Sequence, residues 1–126
     1  MSVSITAIYG AFNAVLSVAL AANVTRVRAK TEVFLGTASS EDLLRAVRRH
    51  GNNAEYVPLA LVMLLVAELA GGRATVLHAF GALLSVGRIT HAIGVGAKPS
   101  PLRAIGAVMT WVMIISASIY AVMLAH

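Results

Sequence analysis

Arg48, Asn52 and Glu55 are separated by four and three residues, so on a helix they share one face, with Tyr56 flanking it four residues after Asn52. Arg88 and His91, three apart, share a face of a second segment. Two polar faces of complementary charge suggest a common pocket. A guanidinium stays protonated, so an arginine here would act electrostatically and not as a general base. The chain has no cysteine. That excludes disulfides, thiolate metal sites and a cysteine nucleophile. Any thiol chemistry would need a sulfur brought by a cosubstrate. None of the four histidines lies in a carboxylate-rich cluster, so no metal site is expected.

The elements that must position these residues are apolar. Of 126 residues, 59% are hydrophobic and 12% charged, with a mean hydropathy of +0.84, against about 25% charged residues in soluble domains. Four segments, residues 3–24, 53–70, 74–95 and 103–124, are each long enough to cross about 30 Å of hydrocarbon. The expected architecture is an all-α membrane protein, a single four-helix transmembrane domain over residues 1–126. The run from Arg48 to Pro58 enters the second segment without a break. Its apolar part, Tyr56–Ala67, is too short to span alone, which draws Glu55 and Asn52 below the membrane surface. An ionisable residue there is a functional-site hypothesis. Basic residues follow the first segment and none precedes it, so it reads as a retained helix and not a signal peptide.

Arg26, Arg28, Lys30, Arg45, Arg48, Arg49, Lys98 and Arg103 flank or occupy the first and third connections, while the other side carries only Arg73. The positive-inside rule places both termini outside and the long basic loop in the cytoplasm. The net charge of +5 thus gathers at one membrane face. It is either the topology signal with anionic-lipid contact, or an electropositive mouth for an anionic ligand. No nucleic-acid partner is expected.

The tight Gly71-Gly72 turn makes segments two and three an antiparallel pair. It sets Glu55 level with Arg88 and Asn52 level with His91, about 24–30 Å from the turn. This fixes depth and leaves rotation open. A shared pocket is one outcome; a Glu55–Arg88 ion pair that locks the bundle without a ligand is the other. Asn13 and Asn23 read as interhelical hydrogen bonders, Gly81 and Ser85 as a close-packing pair, and Glu68, Arg73 and His78 as interfacial residues.

Asn52-x-x-Glu55-Tyr56-x-Pro58 preceded by Arg48, Arg88-x-x-His91-x-x-Gly94, Phe34-Leu35-Gly36, and a last helix opening at Arg103 together resemble the MAPEG family, the membrane-associated proteins of eicosanoid and glutathione metabolism. The resemblance covers nearly the whole chain. It implies a homotrimer with glutathione as cosubstrate, bound between subunits on the cytoplasmic side. By position it implies ligand contacts for Arg48, Asn52, Glu55, Tyr56, His50 and either Arg26 or Arg28. It assigns thiol activation to Arg103, with Arg88 the next candidate. His91 stands where eicosanoid enzymes carry a tyrosine, and Val95 replaces a second ligand-contacting tyrosine. These departures resemble the bacterial branch and imply a location in a bacterial inner membrane. The implied activity is a glutathione transferase or peroxidase acting on lipophilic substrates that arrive through the membrane lipid. Two alternatives stand beside it. One is a non-enzymatic trimer that binds an anionic lipid or metabolite, or scaffolds a partner. The other is a small multidrug-type transporter, against which the charge of Arg88 argues.

Overall fold

A computed structural model describes residues 2–96, 98 and 100–126. The chain forms α1 (Ser4–Thr31), α2 (Glu41–Leu69), α3 (Ala74–Gly94) and α4 (Pro101–Leu124), with no strand among the described residues. Each helix is long and apolar enough to cross a membrane. The protein is an all-helical, four-helix membrane bundle.

Local chemistry sets the helix ends. Ser40 caps α2 by accepting a hydrogen bond from the Leu43 amide, and Glu41 and Asp42 occupy the positive first turn. Ser100 caps α4, whose first position is Pro101, where a missing N–H costs nothing. α1 has no cap of its own. The Glu68 carboxylate reaches across from α2 and accepts from the Ile5 and Thr6 amides at 2.9 and 2.7 Å. It is a tertiary cap where only an interfacial side chain was expected. Gly71, at φ +84°, reverses the chain between α2 and α3.

α3 and α4 match their expected spans to within about two residues. α1 and α2 do not. α1 continues past residue 24 to Thr31, and α2 begins at Glu41, well before residue 53. The long basic connection is mostly two helical ends joined by a short loop. Arg28 Nη1 holds that loop, donating to the carbonyls of Val33 and Gly36 at 2.9 Å each. Hydropathy reports the part of a helix that lies in lipid, and these extensions lie beyond it.

α2 and α3 form the middle of the bundle and touch every other helix; α1 and α4 flank them and do not touch each other. Both termini lie at the α2–α3 turn, where the Tyr120 hydroxyl accepts from the Arg73 amide at 2.9 Å. We call this the hairpin end and the opposite one the basic end. The core stripe of α2 is Asn53, Val57, Ala60, Leu64 and Ala67. It packs with Leu77 and Leu84 of α3 and Met113, Ala117 and Ala121 of α4. Small residues allow close approach, as expected between membrane helices. Gly81 lies against the Tyr9 ring, so a Cβ there would collide with it. A Cβ on Gly94 would strike the backbone of Leu102 and Arg103, and one on Gly106 the backbone of Gly87 and His91. The α3–α4 crossing at the basic end is therefore backbone on backbone.

Candidate functional site: a basic pocket backed by a buried arginine

Arg88 anchors the site. Its side chain is 1% exposed. Its Nη2 donates to Asn52 Oδ1 at 2.7 Å, Nε to Asn53 Oδ1 at 3.2 Å, and Nη1 to Thr110 Oγ1 at 3.4 Å. Nη2 also meets His91 Nδ1 at 3.3 Å. A guanidinium only donates, so Nδ1 accepts and the ring proton sits on Nε2. Thr110 in turn donates to the Gly106 carbonyl at 2.9 Å. Three helices thus hold one cation with neutral acceptors. No carboxylate pairs with it among the described residues.

The level pairing of Asn52 with His91 appears in the structure, where both side chains meet Arg88. The anticipated Glu55–Arg88 pair does not form. Glu55 is 57% exposed and lies 3.9 Å from Arg48. The reason is rotation. Two residues on a helix are about 200° apart, so turning Asn53 into the core turns Glu55 out. Asn53 takes the position on Arg88 that the depth argument gave to Glu55.

In front of Arg88 lies a cavity of about 450 Å³. Its polar lining is Arg45, Arg48, Asn52, His91 and Arg103; its apolar wall is Leu44, Val95, Ala104 and Ala107. No carboxylate lines it. The chain therefore presents three arginines around an apolar-walled hollow, with Asn52 and His91 at the back fixed by Arg88. Such a surface attracts an anion whose remaining part is apolar or hydrogen-bonding. Arg45 also contacts Glu41 and Asp42, at 2.7 and 3.2 Å, but both acids are about four-fifths exposed, so these pairs neutralise it weakly.

The other expected site residues fall around this pocket. Tyr56 is half-buried and tilts against Trp111, ring centroids 6.5 Å apart. Glu55, Tyr56 and His50 do not line the hollow. Arg26 lines a neighbouring cavity of similar size between α1 and α2, with Asn23, Lys30, Asp42, Arg45 and Arg49. Its Nη2 donates to Asn23 Oδ1 at 2.8 Å. Arg28 is spent on the loop carbonyls. Within a single chain, then, Arg48, Asn52, His91 and Arg103 line one hollow, Arg88 stands behind them, and Arg26, Arg28, His50, Glu55 and Tyr56 do not line it, though Glu55 reaches Arg48. Arg45, Asn53 and Thr110 were not anticipated. Arg45 precedes Arg48 by three and Asn53 heads a heptad-spaced stripe, so both left a signal; Thr110 left none. Among the described residues, no group of three or more His, Asp or Glu could hold a metal ion.

A four-helix bundle with long apolar helices defines an integral membrane protein, here with a cationic pocket at one end. Comparison with known proteins narrows this. The profile of the MAPEG family matches residues 6–123, and the chain belongs to that family. It is similar to the inner membrane protein YecN of Escherichia coli, in strain K12 and in strain O6:H1, with 32% identity over 107 residues in each case. The match covers 85% of this chain and 82% of each relative. No solved structure gives a significant match. The family includes glutathione transferases and peroxidases.

Proposed function

We propose that the protein is a glutathione-dependent transferase or peroxidase of the inner membrane that acts on lipophilic electrophiles or hydroperoxides. The observation that carries this is the pocket itself: Arg48, Arg103 and Arg45 around an apolar-walled hollow free of carboxylates, with His91 and Asn52 held in place by Arg88. Glutathione supplies two carboxylates for arginines and a thiol that the chain lacks. A free thiol has a pKa near 8.5, and a neighbouring guanidinium favours its thiolate, the nucleophilic form. Arg103, on the pocket wall, serves in that role. Arg88 acts from behind by fixing Asn52 and His91, whose amide and Nε2–H are suited to hydrogen-bond peptide groups. The apolar wall and the surrounding lipid favour entry of the second substrate from the bilayer.

The same reading supports assembly of several copies, a homotrimer by family resemblance. Glu55 is exposed about 21 Å from the hairpin end of α2, on a face continued by exposed Leu59, Val62 and Val66. A carboxylate facing lipid at that depth is costly. A neighbouring copy over this face would shelter it and would bring another chain's Arg26 within reach of the pocket. In this reading Glu55, Tyr56, His50 and one of Arg26 and Arg28 contact ligand only in the assembly, both termini lie outside, and the basic end is cytoplasmic.

Calorimetry on detergent-purified protein tests the proposal. Glutathione should bind, and Arg48→Ala and Arg103→Ala should each weaken binding by about tenfold or more, the loss of a charge-assisted hydrogen bond. Absence of binding up to millimolar glutathione overturns it. The second basic cavity, with Arg26, Lys30 and Arg49, favours one competing reading, a non-enzymatic protein for an anionic lipid or metabolite. Binding without turnover of chlorodinitrobenzene or a lipid hydroperoxide would select it.

A further inference from the structure

Beside the basic pocket, α1 and α2 enclose a second basic cavity of about 450 Å³. Four cations line it, Arg26, Lys30, Arg45 and Arg49. The one carboxylate, Asp42, is 82% exposed and lies 3.2 Å from Arg45. Nearer the hairpin end, a groove of about 410 Å³ runs between α1 and α3. Leu16, Leu20, Ile89, Ala92 and Ile93 line it, and its single charged residue is again Arg49.

Cavity and groove lie end to end. Leu16, Leu20, Asn23, Val27 and Lys30 follow one another at spacings of four, three, four and three, so they form one stripe of α1. The first two belong to the groove and the last three to the cavity. Arg49, from α2, stands at the join. Counting from the hairpin end, Leu16 lies about 18 Å deep, Leu20 about 24 Å, Arg49 about 30 Å and Lys30 about 39 Å. On α3, Ile89 and Ile93 lie at about 22 and 28 Å. A hydrocarbon core is about 30 Å thick. The groove therefore spans the acyl layer of the leaflet at the basic end, Arg49 marks its boundary, and the cavity lies among the headgroups.

Arg49 is half-buried at that boundary with little to balance its charge. Its Nη2 donates to the Val95 carbonyl at 3.3 Å, and no carboxylate pairs with it among the described residues. A guanidinium at the edge of hydrocarbon is costly unless an anion meets it.

We propose that cavity and groove together bind one anionic phospholipid from the leaflet at the basic end. Its phosphate enters the cavity between Lys30 and Arg49, and one acyl chain lies along Leu16, Leu20, Ile89 and Ile93. A soluble anion would fill the cavity and leave the groove bare; a neutral lipid would leave the cations unbalanced. A zwitterionic lipid would bring an ammonium against four cations and one carboxylate, which disfavours it. Basic pockets between membrane helices suit anionic headgroups for this reason. Arg26 is not needed as a phosphate ligand, since its Nη2 is taken by Asn23. Lys30 and Arg49 line this cavity and not the basic pocket, so the site stands whether or not glutathione binds next door.

The test is native mass spectrometry of the full-length protein released from micelles that hold equal amounts of phosphatidylglycerol and phosphatidylcholine with identical chains. The wild type should retain phosphatidylglycerol about tenfold better, one lipid per chain. Lys30→Gln should cut that preference about fivefold, the scale of one cation near a membrane surface, and Arg49→Gln should remove it. Lys30 is exposed, so its variant decides if the Arg49 variant fails to assemble. Lys98→Gln removes a cation of the same end that lines neither cavity nor groove, and should leave the preference unchanged. Ala92→Leu narrows the groove and should weaken retention severalfold. Millimolar glycerol phosphate, the headgroup without chains, should not displace the lipid. Equal retention of the two lipids overturns the proposal. So does an equal loss from Lys30→Gln and Lys98→Gln, which would reduce the effect to the diffuse field of the basic end. Displacement by glycerol phosphate, or full retention by Ala92→Leu, overturns it too, because the groove would then hold no chain. Calorimetry with glutathione on Lys30→Gln reports the basic pocket separately.

Discussion

Glu55→Gln separates two roles that one carboxylate can play at this site. In the single chain, Glu55 lies 3.9 Å from Arg48, and both side chains are more than half exposed, at 57% and 56%. An exposed pair of this kind contributes about 0.2–1 kcal/mol. Removing the charge therefore frees Arg48 and should strengthen binding of a plain anion by about 1.4- to 5-fold. If Glu55 instead meets the ammonium of glutathione in the assembled protein, its loss costs a charge-assisted hydrogen bond of about 1.5–3 kcal/mol, or roughly 10- to 150-fold. Two ligands distinguish the terms: glutathione, and its analogue in which the amino group is replaced by hydrogen. Calorimetry on the Gln variant should show glutathione affinity falling at least severalfold, while the analogue binds as well as or better than to the wild type. Equal losses for both ligands would refute the reasoning, because Glu55 would then act on the shape of the pocket and not on the amino group. Equal gains would refute it too, since Glu55 would be only a competitor for Arg48.

Three further outcomes follow from contacts outside the pocket. Glu68→Ala should destabilise the bundle by about 2 kcal/mol and speed amide exchange at Ile5 and Thr6, because α1 has no other cap; unchanged exchange there would show that the carboxylate does not hold the helix end. Arg28→Ala should accelerate proteolysis in the loop between α1 and α2, whose Val33 and Gly36 carbonyls lose their donor, and a limited-digestion time course reads it directly. Gly106→Val should lower the thermal midpoint and weaken anion binding together: the new side chain pushes α4 from Gly87 and His91 and pulls Thr110 from Arg88. Loss of stability with binding intact would show that the pocket does not depend on this crossing.

The number of helices and their lipid-crossing parts were legible because lipid imposes a hydropathy rule on every spanning segment. Depth was legible from the two-glycine turn, which set Asn52 level with His91 and Glu55 level with Arg88; the structure joins Asn52 and His91 through Arg88 and leaves Glu55 out. The helical ends beyond the bilayer were not legible from hydropathy, because water makes no such demand. Several contacts that hold the bundle or the site cross between distant parts of the chain. Glu68 capping α1 and Thr110 reaching Arg88 are visible only once the helices are packed. The family resemblance implied ligand contacts for Arg48 and Asn52 and thiol activation for Arg103; the structure places all three on one cavity with His91, a grouping within the single chain that the resemblance could not give.

Rotation was the harder question, and α2 shows why. It carries two stripes with the same heptad spacing: Asn53, Val57, Ala60, Leu64 and Ala67, and Arg48, Asn52, Glu55, Leu59, Val62 and Val66. In a soluble protein the more apolar stripe would face the core. In a membrane that rule fails, because lipid is as apolar as the protein interior. Residue size is the cue that remains. The first stripe is rich in alanine and lets α3 and α4 approach; the second carries bulky branched residues that leave no room for a neighbouring backbone. Size thus selects the first stripe for the core, puts Asn53 on Arg88, and sends Glu55 outward. It also makes the second stripe informative, since it joins a carboxylate at membrane depth to an apolar ridge that nothing within the chain covers. Lipid suits that ridge but not the carboxylate. In the proposed assembly, a neighbouring copy of the same bundle would offer both to this face.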